Sequence, residues 1–417
     1  MTSSSGSASG AFGSRPPTAR PVRRITARRR DESHRVASPL ELFFDLCFVV
    51  AIAQAGAQLV HKFEEGHVGE GLLDYAMVFF AIWWAWIQFS WFASAYDNDD
   101  VPYRLATLVQ ISGVLVLAAG VSRVFAGDDF LVVWFGYAIM RVAMSTQWLR
   151  VAVATAGRER GMALRYAIGV LLCQGGWVGV LLAPEPVRPW VFLAMVIAEL
   201  CVPPYAQRYM KQSWHPHHIA ERYGLFTIIV LGEAIAAATA AVKSGTEGSD
   251  ALPELLPYAA GGLLLVFSVW WIYFAVPLHG QLRSRRHAFV WGYGHYLVFA
   301  SVAALGAGIE VAVEQRVGHA DVSGLVASAT VTVPTAVYLL TVWVLHARFH
   351  KVGIAQQLVL PGTAAAVLAC TFAGHWAILA TGATTALSVA TSITLSARTA
   401  AREARTAERT GSGGEPP

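Results

Sequence analysis

Charge is what this sequence has least of: Asp, Glu, Lys and Arg make up 14% of its 417 residues, while 55% are hydrophobic. With a mean hydropathy of +0.48, that shortage excludes an ordinary soluble domain and implies one large membrane domain with tails. Cysteine is scarce as well. Cys47, Cys173, Cys201 and Cys370 each stand alone in apolar sequence, which argues against a disulfide framework or a zinc knuckle and for buried, inert thiols. A phosphate-binding Walker loop, a dinucleotide-binding glycine pattern, a zinc-protease helix and a nucleophile elbow are all missing, and the loops are too short for a soluble catalytic domain. The expectation is therefore a protein that is not an enzyme and needs no cofactor; the one enzymatic reading left open is intramembrane chemistry by Glu233 and His295. No nucleic-acid motif accompanies the net charge of +4. Its arginines cluster in short loops and at the ends, a distribution suited to an anionic membrane face.

Residues 1–36, rich in Ser, Gly, Pro and Arg, cannot bury a core and are expected to form a disordered cytoplasmic tail, as are residues 398–417. No secretory signal with a cleavage site precedes the first apolar segment, so that segment is expected to remain as an anchor. Apolar runs then follow at 39–60, 72–95, 103–125, 130–150, 163–183, 188–208, 222–242, 253–277, 287–311, 323–345, 353–372 and 376–396. Most are long enough to span a bilayer, giving an all-α polytopic transmembrane helix bundle of about twelve spans. Loop charges test the count. Arg28 to Arg30, Arg158 and Arg160, Arg208 and Lys211, Arg283, Arg285 and Arg286, Arg348 and Lys351, and Arg398, Arg402 and Arg405 fall on one side when both termini are cytoplasmic. Glu64, Glu65, Asp128, Asp129, Glu247 and Asp321 fall on the other. A count of ten or eleven moves only the C-terminus.

The chain also echoes itself. Glu41 to Gln54 and Glu221 to Ile235 each open on an acid with aromatics in the first turn and continue into an aliphatic run, 180 residues apart. Phe80 to Trp86 (F-A-I-W-W-A-W) and Phe267 to Tyr273 (F-S-V-W-W-I-Y) repeat the relation 187 residues apart. Two echoes in one order suggest two six-helix repeats, 37–210 and 211–397, sharing one orientation about an axis along the membrane normal.

Ionisable residues inside apolar runs are costly and become the site candidates. Glu233 lies about 18 Å along its helix from Glu221, near the middle of a bilayer core of about 30 Å. Glu41 and Glu221 start helices, where a carboxylate is stabilised by the helix dipole without any further role. Asp45, one turn beyond Glu41 on the same face, forms with it either a cation vestibule or a pair with Arg222 or a loop arginine. Arg141 and Glu199 each fall near the middle of a segment, so Arg141 either pairs structurally with an acid or serves binding and proton transfer. His295, flanked by Tyr293 and Tyr296, either relays protons or is hydrogen-bonded between helices. The His215, His217, His218 run lacks a partnering acid or cysteine cluster and is not expected to hold a metal.

Several of these stretches resemble a known family. The run S-P-L-E-L-F-F-D-L-C-F-V-V-A-I from Ser38, W-W-A-W-I-Q-F-S-W-F from Trp83 leading to Tyr96-Asp97-Asn98-Asp99-Asp100, H-P-H-H-I-A-E-R-Y-G-L-F-T-I-I-V-L-G-E-A-I from His215, and W-G-Y-G-H-Y from Trp291 with its following A-G-I-E resemble the bacterial low-temperature-requirement A (LtrA) proteins. The resemblance covers nearly all of the chain between the tails. It implies a multi-pass protein of the bacterial plasma membrane linked to growth in the cold. Ala95-Tyr96 stand where that family more often has Arg-Phe, and Ala234 where Ser is common; neither change removes an acid. Glu41, Phe43, Asp45 and Phe48 also resemble the E-x-F-S-D-x-x-F motif of a family of six-helix-unit potassium channels, with Phe44 in place of its Ser and Leu225 in place of the Asp in the second repeat.

Three functions fit these observations. The first is a secondary transporter of a small solute or ion, with Glu233, Glu199, Asp45 and Arg141 lining a midplane site. The second is a cation channel with Glu41 and Asp45 at its cytoplasmic mouth. The third is a non-transporting protein that organises or senses lipid in the cold.

Overall fold

The computed structural model describes residues 22–28, 36–127, 129–210, 212–246, 252–276, 282, 285–351 and 353–411. Every regular element among them is helical, which lets each apolar segment satisfy its own backbone where no water is available. The chain runs through α1 (Pro39–Glu64), α2 (Val68–Tyr96), α3 (Val101–Gly127), α4 (Leu131–Ala154), α5 (Gly157–Gly176), continued by the short α6 (Val178–Leu182), and α7 (Arg188–Ala206). It continues through α8 (Pro216–Thr246), α9 (Leu252–Phe274), α10 (Arg285–Val317), α11 (Gly324–Leu345), α12 (Ile354–Cys370) and α13 (Ala377–Gly411). Local sequence sets the starts. Pro39 occupies the first turn of α1, and Ser38 and Glu41 form a reciprocal capping box, the Glu41 N–H donating to Ser38 Oγ at 3.3 Å and the Ser38 N–H to Glu41 Oε2 at 2.7 Å.

Ten helical stretches among the described residues are long and apolar enough to cross a membrane, against about twelve expected. Two features account for the difference. Arg141, Gln147 and Arg150 lower the apolarity of α4, which at 24 residues is long enough. The stretch Ile354–Ala404 counts once, although Gly374, at φ 59 and ψ −134, breaks it between α12 and α13.

Two tail expectations change. Residues 22–28 lie extended against the helix ends: the Arg23 N–H donates to Asp100 Oδ2 at 3.0 Å, the Arg24 guanidinium to the Ala154 carbonyl at 2.8 Å, and the Arg28 N–H to the Ala95 carbonyl at 2.9 Å. Ile25 within this basic segment is buried, while Val22 stays exposed, and the acidic run after α2 supplies counter-charge. The rest of 1–36 lies outside the described residues up to Val36. At the other end α13 continues to Gly411, because Ala-Arg-Glu-Ala-Arg from residue 401 consists of strong helix formers.

Successive helices pack antiparallel, so α1, α3, α5, α8, α10 and α12 begin at one face of the bundle, here the first face. α2 and α10 are central, with most of their apolar length buried, and the Ile354–Ala404 stretch is peripheral and largely exposed. Part of the neighbour pattern of the first seven helices recurs in the rest: α1 packs on α2 and α3 as α8 packs on α9 and α10, α3 on α4 as α10 on α11, α4 on α5 as α11 on α12, and α5 on α7 as α12 on α13, whereas α9 also packs closely on α13 with no comparable contact between α2 and α7. Glycines permit the closest of these approaches. A Cβ on Gly113 of α3 would lie 2.8 Å from the Gly136 carbonyl oxygen of α4, and one on Gly308 of α10 would collide with the backbone of Thr330 in α11.

Candidate functional site

A buried arginine must meet an acid, and helix packing decides which. Arg141 on α4 donates from Nη2 to Glu199 Oε2 on α7 at 2.7 Å, with both side chains buried. The same carboxylate accepts from Trp84 Nε1 at 2.9 Å, Tyr137 Oη at 3.0 Å and Trp177 Nε1 at 3.1 Å. Its oxygens are thus fully committed. Arg141 Nε and Nη1 have no hydrogen-bond partner among the described residues, so the guanidinium depends on Glu199 and on the Tyr137 ring 5.5 Å away.

A second cluster joins α1 to α8 near the first face. Asp45 receives two bonds from Arg222, Nε to Oδ2 at 3.0 Å and Nη2 to Oδ1 at 2.5 Å, and a third from Trp86 Nε1 at 2.7 Å. Glu41 Oε1 lies 3.0 Å from Arg222 Nη1 and 3.1 Å from His218 Nε2. Glu41, Asp45, His218 and Arg222 are all fully buried. The two acids therefore do not line an open cytoplasmic vestibule: the i, i+4 spacing that puts them on one face presents both to the same arginine. Glu221 is half-buried at the start of α8, and its neighbour Arg222 carries the contact to α1.

His295 on α10 is fully buried and uses both ring nitrogens: Nδ1 is 2.7 Å from the Trp291 carbonyl and Nε2 is 3.0 Å from Tyr273 Oη on α9. Since a carbonyl only accepts, the neutral ring carries its proton on Nδ1 and accepts from the tyrosine hydroxyl. This is the arrangement of a histidine hydrogen-bonded between helices. Among the described residues no group of three or more His, Cys, Asp and Glu is placed to hold a metal.

Glu233 lies elsewhere. It faces a cavity of about 290 Å³ between α1, α8 and α10, walled by Ala53, Gly56, Ala237, Ala303 and Gly306 and by a second carboxylate, Glu310. The cavity exists because its walls are alanine and glycine. Both acids are half-buried, and neither has a hydrogen bond or ion pair with a described residue. Glu310 also lies within electrostatic reach of Glu64 and Glu314 toward the second face. Glu233, Glu199, Asp45 and Arg141 thus do not share one midplane site. Arg141 settles on Glu199 of α7 and Arg222 on Glu41 and Asp45 of α1, and Glu233 meets neither arginine.

Sequence reasoning passed over Glu310, although it ends the A-G-I-E stretch that follows Trp291. A signal was available in Gly306, Gly308 and Glu310, small residues and an acid close together inside an apolar run. His218 and Trp86 gave no comparable signal, since each also fits simple packing.

A bundle of apolar helices holding buried ion pairs and an acidic cavity defines a polytopic membrane protein. Within that class, the chain belongs to the bacterial low temperature requirement A protein (LtrA) family, whose profile matches residues 36–394. It is also similar to a protein of Rhizobium meliloti described as uncharacterized protein RA0937, with 27% identity over 275 residues. That alignment takes in 63% of this chain and 63% of the relative's length. No solved structure matches.

Proposed function

We propose that this chain is a secondary transporter that couples movement of a small solute or ion to cation binding by Glu233 and Glu310, and that it is not an enzyme. The observation that carries the reading is the contrast among its intramembrane charges. Arg141, Glu199, Glu41, Asp45 and Arg222 are locked in ion pairs that fix helices, while Glu233 and Glu310 face space lined by alanine and glycine. Two carboxylates sharing one cavity attract protons or other cations and repel anions. Twelve crossings, with α4 counted and the last stretch divided at Gly374, give six helices in each half. The recurring neighbour pattern and the placement of Trp83-Trp84 on α2 and Trp270-Trp271 on α9 support two parallel repeats. Both termini then lie on the arginine-rich, cytoplasmic side of a bacterial plasma membrane, and a role in growth in the cold follows from the family's name.

The test is flux in liposomes. Purified protein should move protons, Na⁺ or K⁺ down an imposed gradient, and Glu233→Gln or Glu310→Gln should assemble normally yet lose that flux. Well-folded variants that transport like the parent would remove the coupling role.

One feature favours the lipid-organising alternative. An apolar crevice of about 530 Å³ between α2, α7 and α10, walled by Phe80, Trp83, Trp190 and Leu193, opens within the spanning region. Cold-sensitive growth that survives loss of flux but responds to Leu193→Trp would favour it.

A further inference from the structure

α1 and α8 meet at one level and part at another. Near the first face Glu41 and Asp45 of α1 are held by His218 and Arg222 of α8. About three turns farther along, the same helices separate around the Glu233 and Glu310 cavity, with α10 as the third wall. Aromatic rings pack beside the cluster and beyond it: Phe44 stacks on Phe89 at 3.9 Å at the level of the cluster, and Trp86 on Phe226 at 4.2 Å one turn past Arg222.

We infer that the Glu41, Asp45, His218 and Arg222 cluster is the closed gate of this cavity on the first face, and that the cavity becomes accessible from that face only when the cluster comes apart. The inference rests on the cavity being the ion site proposed above. Three observations carry it. The cluster joins the first helix of one sequence half to the first helix of the other, the elements that must separate if the halves rock about a site between them. Its partners are fully buried, so a partly broken cluster strands a charge, and only the fully made and the hydrated, fully parted arrangements are favourable. A contact with two stable arrangements and no comfortable intermediate behaves as a gate rather than a spring. Lastly, the packing around the cavity is uneven. A Cβ on Gly56 of α1 or on Gly232 of α8 would meet nothing within 4 Å, whereas one on Gly306 of α10 would lie 2.6 Å from Ala234 Cα of α8. α8 and α10 are thus in close contact beside the cavity, whereas α1 and α8 both border open space there. The Arg141 and Glu199 pair, by contrast, lies within the first half and joins parts that need not separate.

The test uses the full chain with Cys47, Cys173, Cys201 and Cys370 changed to Ser and Ala237→Cys on the cavity wall, in membrane vesicles of each orientation, labelled by a charged, membrane-impermeant maleimide. With the gate intact, labelling should proceed from the second face and be at least about tenfold slower from the first. Asp45→Asn combined with Arg222→Gln removes both members of the bidentate pair, and labelling from the first face should then rise about tenfold. If that protein does not run as a single species on size exclusion, Glu41→Gln, which keeps the bidentate pair, is read instead, with an expected rise of about threefold. Equal labelling from both faces with the gate intact, or no rise in a folded gate variant, overturns the gate and leaves the cavity's role standing. No labelling from either face shows a sealed cavity and overturns the ion site together with the gate.

Discussion

Glu199→Gln separates structural charge from transport charge more sharply than any other single substitution. In the native protein Oε1 accepts from Tyr137 and Trp177, and Oε2 from Arg141 and Trp84. A glutamine presents one carbonyl oxygen and one NH₂, so in either orientation the NH₂ points at two donors. Arg141, already without partners for Nε and Nη1, loses its counter-charge in a buried site. Stranding such a charge costs about 3–5 kcal/mol, and each displaced hydrogen bond roughly 1 kcal/mol more. A loss of at least about 4 kcal/mol is expected. For a chain of 417 residues at roughly 2.1 cal/mol/K per residue, that is a drop of about 5 °C in melting temperature.

Adding Arg141→Met should reverse most of this loss. The stranded charge is gone, and the glutamine can turn its carbonyl toward Tyr137 and Trp177, leaving its NH₂ opposed by Trp84 alone. A double-mutant cycle read by thermal unfolding in detergent should give a coupling of at least about 2 kcal/mol. A Glu199→Gln protein as stable as its parent but inactive in flux would refute the reasoning and return Glu199 to the transport path.

Glu233→Gln should show the opposite pattern, with melting changed by less than about 1 kcal/mol because no partner is stranded, and proton or cation flux lost in liposomes. Membrane-impermeant labelling of intact cells should reach a cysteine at Glu185 and miss one at Arg158; the reverse would invert the topology. Burial alone would raise the Asp100 carboxyl, but the N–H groups of Arg23 and Tyr103 and the Arg150 guanidinium outweigh it and hold the group below its ordinary range. Its stabilisation is therefore present above the ordinary carboxylate pKa of about 4 and fades as pH falls through the lower folded value; limited proteolysis of the 22–28 segment should accelerate there, and Asp100→Asn should accelerate it at neutral pH. Gly308→Ala should cost about 1–3 kcal/mol by forcing α10 from α11, whereas Gly362→Ala, where a Cβ meets nothing, should be neutral or stabilising in the same melting assay.

The apolar runs and their limits were legible because a helix in hydrocarbon must satisfy its own backbone, which ties hydropathy directly to structure. Partner choice among the intramembrane charges was not. Spacing placed Asp45 beside Glu41 and offered Arg222 as one partner, but placing Arg141 with Glu199 rather than Glu233 depends on how α4, α5 and α7 pack. Depth along a helix says nothing about azimuth across the bundle, which is why four residues assigned to one midplane site occupy three places. Composition likewise concealed Ile25: a few apolar residues do not alter the polarity of a basic tail, yet this one is buried there.

The echoes between the halves show how far a shared pattern constrains what it builds. Trp83 and Trp84 are buried between the halves, whereas Trp270 and Trp271, on α9, are nearly half exposed. Likewise Glu41 caps α1 and faces Arg222, while Leu225 stands where the second repeat would need the counterpart of Asp45. Retaining an acid there would set like charges facing each other across α1 and α8, at a cost of several kcal/mol in a buried site. The second half carries Arg222 four residues after His218 instead, and both face the acids of the first. In the duplication proposed above, such divergence is what allows two copies to bind each other at one end and remain apart at the other. The cavity holding Glu233 and Glu310 lies in that remaining gap.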